Sequence, residues 1–357
     1  MAEAVNLQAS SWMKRGLALL NENTPASLKQ ALQCFDRGLE LRRHLPLKGN
    51  PDFSYGLAAC WMNRADVLTR LGGHENLLDA LNGYGQAIAL LHRLSLEENP
   101  QYRRRLAVAW LNRGYTLEAQ QTPRSVAEAV NSFARSIKVL REAQAPTDED
   151  RRLLGCALMN HANTLFQSAG PTSAQEARTS ANEAVQLLTD LEESDLLAAE
   201  AALKARHVLC RALAHLLNDA TATGAPPEDL VSEATDVVDE GMENARLWEQ
   251  RGVKGFRSLA NDLFHFGSRV YQAHQPHFLP DFVLESLDPA RAPGAMPDSR
   301  EMHATAMVAL RSALGEIQRN SFSAINTPRY ERALAILEEL RITEARLEEL
   351  RLQHLTT

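Results

Sequence analysis

Aromatic residues are scarce in this sequence, at 6% of its 357 residues, and β-branched residues are sparse beside abundant alanine and leucine. Alanine and leucine are strong helix formers, whereas strands favour β-branched and aromatic side chains. The composition therefore argues against a β-rich protein and favours an all-α fold. Apolar residues make up 45% of the chain, which is enough for a sizeable core.

Cysteine is also rare, and the four residues Cys34, Cys60, Cys156 and Cys210 form no Cys-x-x-Cys pair. Each lies in a helical apolar pattern, which favours buried thiols in a reducing compartment and argues against a clustered zinc site. The N-terminus lacks a basic region followed by an apolar run, and no stretch of about 18 apolar residues occurs. We therefore expect a cytoplasmic protein with no signal peptide, no membrane contact and no metal ion.

An excess of basic charge is missing as well, because 38 Lys and Arg residues face 45 Asp and Glu residues, for a net charge of −7. Domains that bind phosphate backbones are normally basic, so nucleic acid is not an expected partner. The sequence contains no Gly-rich phosphate loop, no nucleophile elbow and no His-Glu-x-x-His motif. We therefore expect a non-enzymatic protein with no catalytic residues and no cofactor.

What the sequence does contain is an internal repeat. Tryptophan recurs 49 residues apart at Trp12, Trp61 and Trp110, and an apolar residue continues this anchor column at Leu158, Val208 and Phe256. Other columns keep the same register: a small residue four positions after the anchor, mostly leucine seven after, alanine nineteen after, and phenylalanine or tyrosine twenty-three after. Thr-Pro and Asn-Pro dipeptides between the columns are typical helix starts. Each repeat is therefore predicted to be two helices joined by a short turn.

This pattern resembles the tetratricopeptide repeat family, whose usual period is about 34 residues, so the chain is expected to be a variant with an unusually long repeat. The resemblance rests on the tryptophan anchor, the small residue, the leucine, and the alanine and aromatic columns of the second helix. It implies an α-α superhelix, a solenoid of about six helical hairpins over residues 1–273, with the first helices lining a concave groove. Residues 274–300 are Pro-rich and expected to be irregular. Residues 301–357 are expected to form helices that either cap the array or mediate a homodimer.

Candidate binding residues lie on or beside the stripe of the first helices that would face the groove. They are Met62, Asn63, Asp66, Leu111, Asn112, Tyr115, Glu118, Met159, Asn160, Asn163 and Phe166. For the asparagine and methionine columns two interpretations stay open, namely contact with a partner and packing between repeats. Two interpretations also stay open for an arginine column at Arg15, Arg64 and Arg113. In the first, a structural ladder, the arginines form ion pairs with acidic residues of the second helices. In the second, a peptide cradle, they bind a charged peptide.

The leading functional hypothesis is an adaptor or scaffold that binds a peptide or protein segment in the concave groove. Two alternatives remain. One is a regulatory sensor that binds a small peptide or metabolite, and the other is a structural subunit of a larger complex. No DNA-binding helix-turn-helix accompanies the repeats to complete a regulator.

Overall fold

The computed structural model describes residues 1–168, 173–253, 255–287, 300–319 and 326–355. Over these ranges the protein has fourteen helices and no strand, so the predicted all-α fold of packed helical hairpins is confirmed. The chain divides into two compact units, Met1–Leu187 and Leu188–Thr357. Residues 188–273 fall in the same unit as the C-terminal helices.

Unit 1 is built from four first helices, α1, α3, α5 and α7, and the second helices that follow them. Their bounds are α1 (Ala2–Glu22), α2 (Pro25–Arg43), α3 (Pro51–Leu71), α4 (His74–Leu91), α5 (Pro100–Glu118), α6 (Pro123–Arg141), α7 (Asp148–Gln167) and α8 (Ser173–Thr189). From α1 to α7 each helix packs against the next, and α1 contacts α3, α3 contacts α5 and α5 contacts α7. The first helices therefore form a continuous row within this unit.

Local sequence explains where the second helices begin. The side chain of Thr122 accepts a hydrogen bond from the backbone N–H of Ser125, and the Ser125 hydroxyl in turn accepts one from the backbone N–H of Thr122. The same capping box joins Thr24 and Ser27 at the start of α2. A proline follows each threonine at the first helical position, where its missing N–H costs nothing.

Small residues on the first helices admit aromatic rings from the second helices. A Cβ placed on Gly114 would come within 2.4 Å of the ring of Phe133, and one on Gly16 within 2.5 Å of the ring of Phe35. Both phenylalanines are fully buried. The two helices of each hairpin can approach closely only because the first helix lacks a side chain at this point, as the small and aromatic columns predict.

Unit 2 contains the remaining six helices. They are α9 (Leu196–Thr223), α10 (Glu228–Gln250), α11 (Arg257–His274), α12 (Leu279–Ser286), α13 (Arg300–Arg319) and α14 (Asn326–Leu355). Helices α9, α10 and α11 pack on one another, α12 contacts α11, α13 and α14, and α13 pairs with α14. A buried ion pair ties α9 to the preceding loop, since Arg206 donates to both carboxylate oxygens of Glu192 at 2.6 and 3.0 Å.

Part of the segment expected to be irregular is helical, which corrects that prediction. Helix α12 lies within residues 274–300, with Pro280 in its first turn, where proline is tolerated. Its residues Phe282, Val283 and Leu284 are buried against unit 2. Residues 288–299 of the same segment lie outside the described residues.

The cysteines and the apolar helices can now be placed in the fold. Three of the cysteines are buried thiols, but Cys156 on α7 is only half-buried. Within the described ranges, none of the helices combines the length and apolar character needed to cross a bilayer.

Candidate functional site

The predicted binding residues all lie on α3, α5 and α7, and burial separates them into two groups. Met62, Leu111 and Asn160 are buried, so their side chains pack within the unit and offer almost no surface. Tyr115 is 39% exposed, and the others are half-buried. We refer to the accessible group as the first-helix face, which consists of Asn63, Asp66, Asn112, Tyr115, Glu118, Met159, Asn163 and Phe166.

Two side-chain hydrogen bonds connect α7 to α5 at the first-helix face. We call such a line of contact between neighbouring first helices a seam. Asn160 donates from Nδ2 to the phenol oxygen of Tyr115 at 2.7 Å and to the backbone oxygen of Cys156 at 2.6 Å. The hydroxyl of Thr164 donates to the carboxylate of Glu118. For Asn160 the structure therefore matches the interpretation of packing between neighbouring repeats.

Tyr115 is held on several sides and yet keeps part of its ring at the surface. Its ring meets that of Phe133 edge to face, with centroids 5.6 Å apart. Burial of the hydroxyl raises the pKa of Tyr115 to about 12, so the phenol stays neutral. A ring fixed by packing and by a hydrogen bond loses little conformational entropy when a partner covers it. Packing and the hydrogen bond therefore hold the partly exposed side chain of Tyr115 in one orientation.

A second polar seam lies between α3 and α5. The hydroxyls of Thr69 and Thr116 are 2.8 Å apart and share a hydrogen bond. The hydroxyl of the buried Tyr84 lies beside Thr69 and Asn112, while burial and the nearby Asp66 carboxylate raise its pKa. Asn112 is therefore partly engaged within the unit, although its side chain remains half-accessible.

The two carboxylates of the first-helix face differ in environment. Asp66 accepts a hydrogen bond from Nε of Arg70 at 3.2 Å, on the same helix. Burial raises the pKa of Glu118, and the hydrogen bond from Thr164 opposes that shift. Together with the amides of Asn63 and Asn163, these groups offer both donors and acceptors, which is what an extended peptide backbone requires.

Two members of the arginine column, Arg64 and Arg113, pair with polar groups of unit 1. Arg113 on α5 donates to the hydroxyl of Ser132 at 2.6 Å and lies 3.6 Å from the carboxylate of Glu128, both on α6. Arg64 on α3 instead pairs with Asp36 on the preceding hairpin, at 2.7 Å. These contacts match the structural ladder more closely than the peptide cradle. The described part of the chain also contains no group of three His, Cys, Asp or Glu residues that could hold a metal ion.

The hydroxyls that join neighbouring first helices were not predicted from the sequence. Thr116 and Thr164 are fully buried and lie six positions after the anchor in consecutive repeats. A hydroxyl repeated at one column position is a usable signal, because a buried hydroxyl needs a hydrogen-bond partner. The corresponding residue of the preceding repeat is Val67, which made this column appear to be ordinary apolar core.

Comparison with known proteins gives weak matches. No known family model matches the sequence, and no curated protein is significantly similar to it. Among solved structures, the apo form of RapI is 13% identical, with a TM-score of 0.44 over 85% of this chain and 98% of RapI. The nuclear import adaptor Nro1 of S. pombe is 12% identical, with a TM-score of 0.46 over 93% of this chain and 99% of Nro1. The chain is similar at the same level to the apo form of the quorum sensor NprR from B. thuringiensis, with 13% identity and a TM-score of 0.41 over 93% of this chain and 88% of NprR.

Proposed function

We propose that this protein is a non-enzymatic adaptor or scaffold and that it binds a peptide or protein segment along the first-helix face of unit 1. The proposal includes the finer assignment of the hairpins to a long-period variant of the tetratricopeptide repeat. Exposed Leu334 and Ile342 on α14 support a further part of it, a homodimer formed through the C-terminal helices.

The observation that carries the proposal is that the side chain of Tyr115 is held in place and yet partly exposed. Tyr115 is 39% exposed while its side chain is fixed by Asn160 and Phe133, and half-buried amides and carboxylates lie on the same and neighbouring helices. Rigid aromatic side chains surrounded by polar groups are typical of residues that dominate binding energy at interfaces.

The test compares capture of a partner by three forms of the full chain. In the first variant, Asp66→Ala is combined with Tyr115→Ala on the first-helix face. The control variant combines Leu78→Ala with Arg124→Ala. It removes one aliphatic and one charged side chain at exposed positions of α4 and α6. We expect the first variant to bind at least about tenfold more weakly, because truncating a residue that dominates an interface costs about 2 kcal/mol or more and tenfold corresponds to about 1.4 kcal/mol. The control should bind like the wild type.

A further variant separates binding from folding. Tyr115→Phe keeps the ring but removes the acceptor for Asn160, so it should retain most of the binding while lowering thermal stability. Equal capture by the wild type and the Asp66→Ala/Tyr115→Ala variant would contradict the proposal. A co-purifying small molecule with no protein partner would instead favour the sensor alternative.

A further inference from the structure

A cavity of about 640 Å³ opens in unit 1 between two loops that join successive hairpins. One loop, residues 44–50, connects α2 to α3, and the other, residues 92–99, connects α4 to α5. The first turn of α3 and the last turn of α4 complete its walls. The volume falls in the range of roughly 300–1,000 Å³ that is usual for ligand sites.

Among the described residues, two cationic side chains and no carboxylate line this cavity. The cations are Lys48 of the first loop and Arg93 of the second loop. Neither the ammonium nor the guanidinium has an ion pair or a side-chain hydrogen bond within the part of the chain that the structure describes. The whole sequence has a net charge of −7, so two cations without a counter-charge at one cavity run against its composition. An anion bound between them would supply that counter-charge.

Apolar side chains form much of the remaining lining. Leu47, Leu90 and Leu94 are half-buried and line the cavity beside the cations. Leu47 and Leu90 also pack against the buried core formed by α1, α2 and α3, which fixes their positions. Ligand sites typically combine apolar walls with a few polar groups that orient the ligand. This lining therefore suits an anion with an apolar body better than a bare inorganic ion.

The loop that carries Lys48 is held in shape by its own hydrogen bonds. Asn50 donates from Nδ2 to the backbone oxygens of Pro46 at 2.8 Å and of Lys48 at 3.3 Å. The hydroxyl of Ser54 donates to the backbone oxygen of Leu47 at 3.4 Å. A site that is already ordered loses little conformational entropy when a ligand enters it.

The next repeat provides an internal comparison for the charges. Its residues follow in the same register 49 positions later, since Pro51 opens α3 and Pro100 opens α5. In that repeat the two cations are replaced by Glu97 and Glu142, so the charges are reversed. Positive charge at this point is therefore not a requirement of the hairpin stacking that the repeats share.

The same comparison shows a difference in side-chain size. Ser54 is replaced by Arg103, which is half-buried with a buried Nε, so a long side chain enters the structure where the short serine leaves room. Leu94 is replaced by Ala143, which removes part of the apolar wall. The combination of a short side chain, an apolar wall and two cations occurs between the first two hairpins and not at the equivalent positions of the next repeat.

Two cations on separate loops match a doubly charged head group. A phosphate monoester carries a charge of about −1.5 to −2 at pH 7 and has three strong acceptor oxygens. The guanidinium of arginine binds phosphate through paired N–H groups, and the ammonium of lysine binds it as a point charge. A carboxylate carries a single negative charge and would leave one of the two cations without a counter-charge.

We propose that this cavity binds a small phosphate monoester with an aliphatic body, taken up from solution. Lys48 and Arg93 hold the phosphate group, and the aliphatic body lies against Leu47, Leu90 and Leu94. The cavity contains none of the residues of the first-helix face, so this proposal and the one for that face can fail separately.

The test measures binding of octyl phosphate to the full chain by isothermal titration calorimetry, below the concentration at which the ligand forms micelles. Octanoate changes the head group, and methyl phosphate removes the aliphatic body. We expect octyl phosphate to bind at least about tenfold more tightly than either, because each of the other two ligands lacks one of the two kinds of contact.

Two variants separate the contributions of charge and apolar contact. Lys48→Gln/Arg93→Gln should weaken binding of octyl phosphate at least about tenfold, because both counter-charges are removed. Leu94→Ala introduces the residue that the next repeat has at this position, and it should weaken binding about threefold through lost apolar contact.

The matched control is Lys29→Gln/Lys138→Gln, which removes two exposed lysines of α2 and α6 outside the cavity and changes the net charge equally. This control should bind like the wild type, and thermal unfolding should show all variants folded. Equal losses in both double variants would mean non-specific charge attraction and would overturn the proposal. So would equal binding of octanoate and octyl phosphate, or no measurable binding of octyl phosphate up to its micelle threshold. Binding to vesicles that contain phosphatidic acid, without binding of octyl phosphate, would also overturn it.

Discussion

Glycine residues within the helices of unit 1 differ sharply in what surrounds them. A Cβ at Gly114 would enter the ring of buried Phe133, whereas a Cβ at Gly85, in the middle of α4, would meet nothing within 4 Å. Gly114→Ala should therefore destabilise the protein by about 1–3 kcal/mol through overpacking. Gly85→Ala should stabilise it by about 0.5–1 kcal/mol, because alanine is the better helix former. Urea unfolding of the two variants measures both, and two changes of the same sign would contradict this account of hairpin packing.

At this scale the packing residues were more predictable than the polar ones. The pairing of Gly114 with Phe133 follows from repeated small and aromatic columns, because close helix approach leaves few alternatives. The partner of Asn160 did not follow, since the same position could point to a neighbouring repeat or to a bound peptide. The choice depended on the hydroxyl of Tyr115, which has no counterpart in the Asp66 and Asn163 of the adjacent repeats.

At the scale of single helices, capping decides where α6 begins. Thr122→Ala removes the side-chain acceptor for the N–H of Ser125 and should cost about 1 kcal/mol of stability. Thr179→Ala is the matched control, because Thr179 lies exposed inside α8 and its hydroxyl donates only to the preceding turn. There the change should be neutral or slightly stabilising, since alanine favours the helix interior. Thermal unfolding of both variants tests this, and equal effects would mean that the capping box contributes nothing.

The starts of four helices of unit 1 were predictable from a capping residue followed by a proline. Pro25, Pro51, Pro100 and Pro123 all open helices, as the dipeptides indicate. Helix α12 was missed because the prolines around it suggested an irregular segment. Pro280 instead lies in the first turn, and the burial of Phe282 and Val283 stabilises a helix of only eight residues.

At the scale of the whole molecule, the sequence repeat is clear in unit 1 and weak in unit 2. Unit 1 contains the copies with tryptophan anchors, and its stacked hairpins make the same glycine-to-phenylalanine contact twice. In unit 2 the anchors are Val208 and Phe256, and a 28-residue helix, α9, replaces the shorter first helices. The cavity between the two loops of unit 1 could not be anticipated, because it depends on how the loops face each other rather than on any repeated column.

The central claim is that the first-helix face touches a partner, and site-specific photo-crosslinking tests it most directly. A benzophenone side chain placed at position 63 of the full chain lies on the first-helix face and leaves Tyr115 in place, and one placed at position 78 lies on the exposed side of α4. The account predicts that a captured protein or peptide forms an adduct from position 63 and not from position 78. A captured partner that forms adducts equally from both positions, or only from position 78, would contradict it.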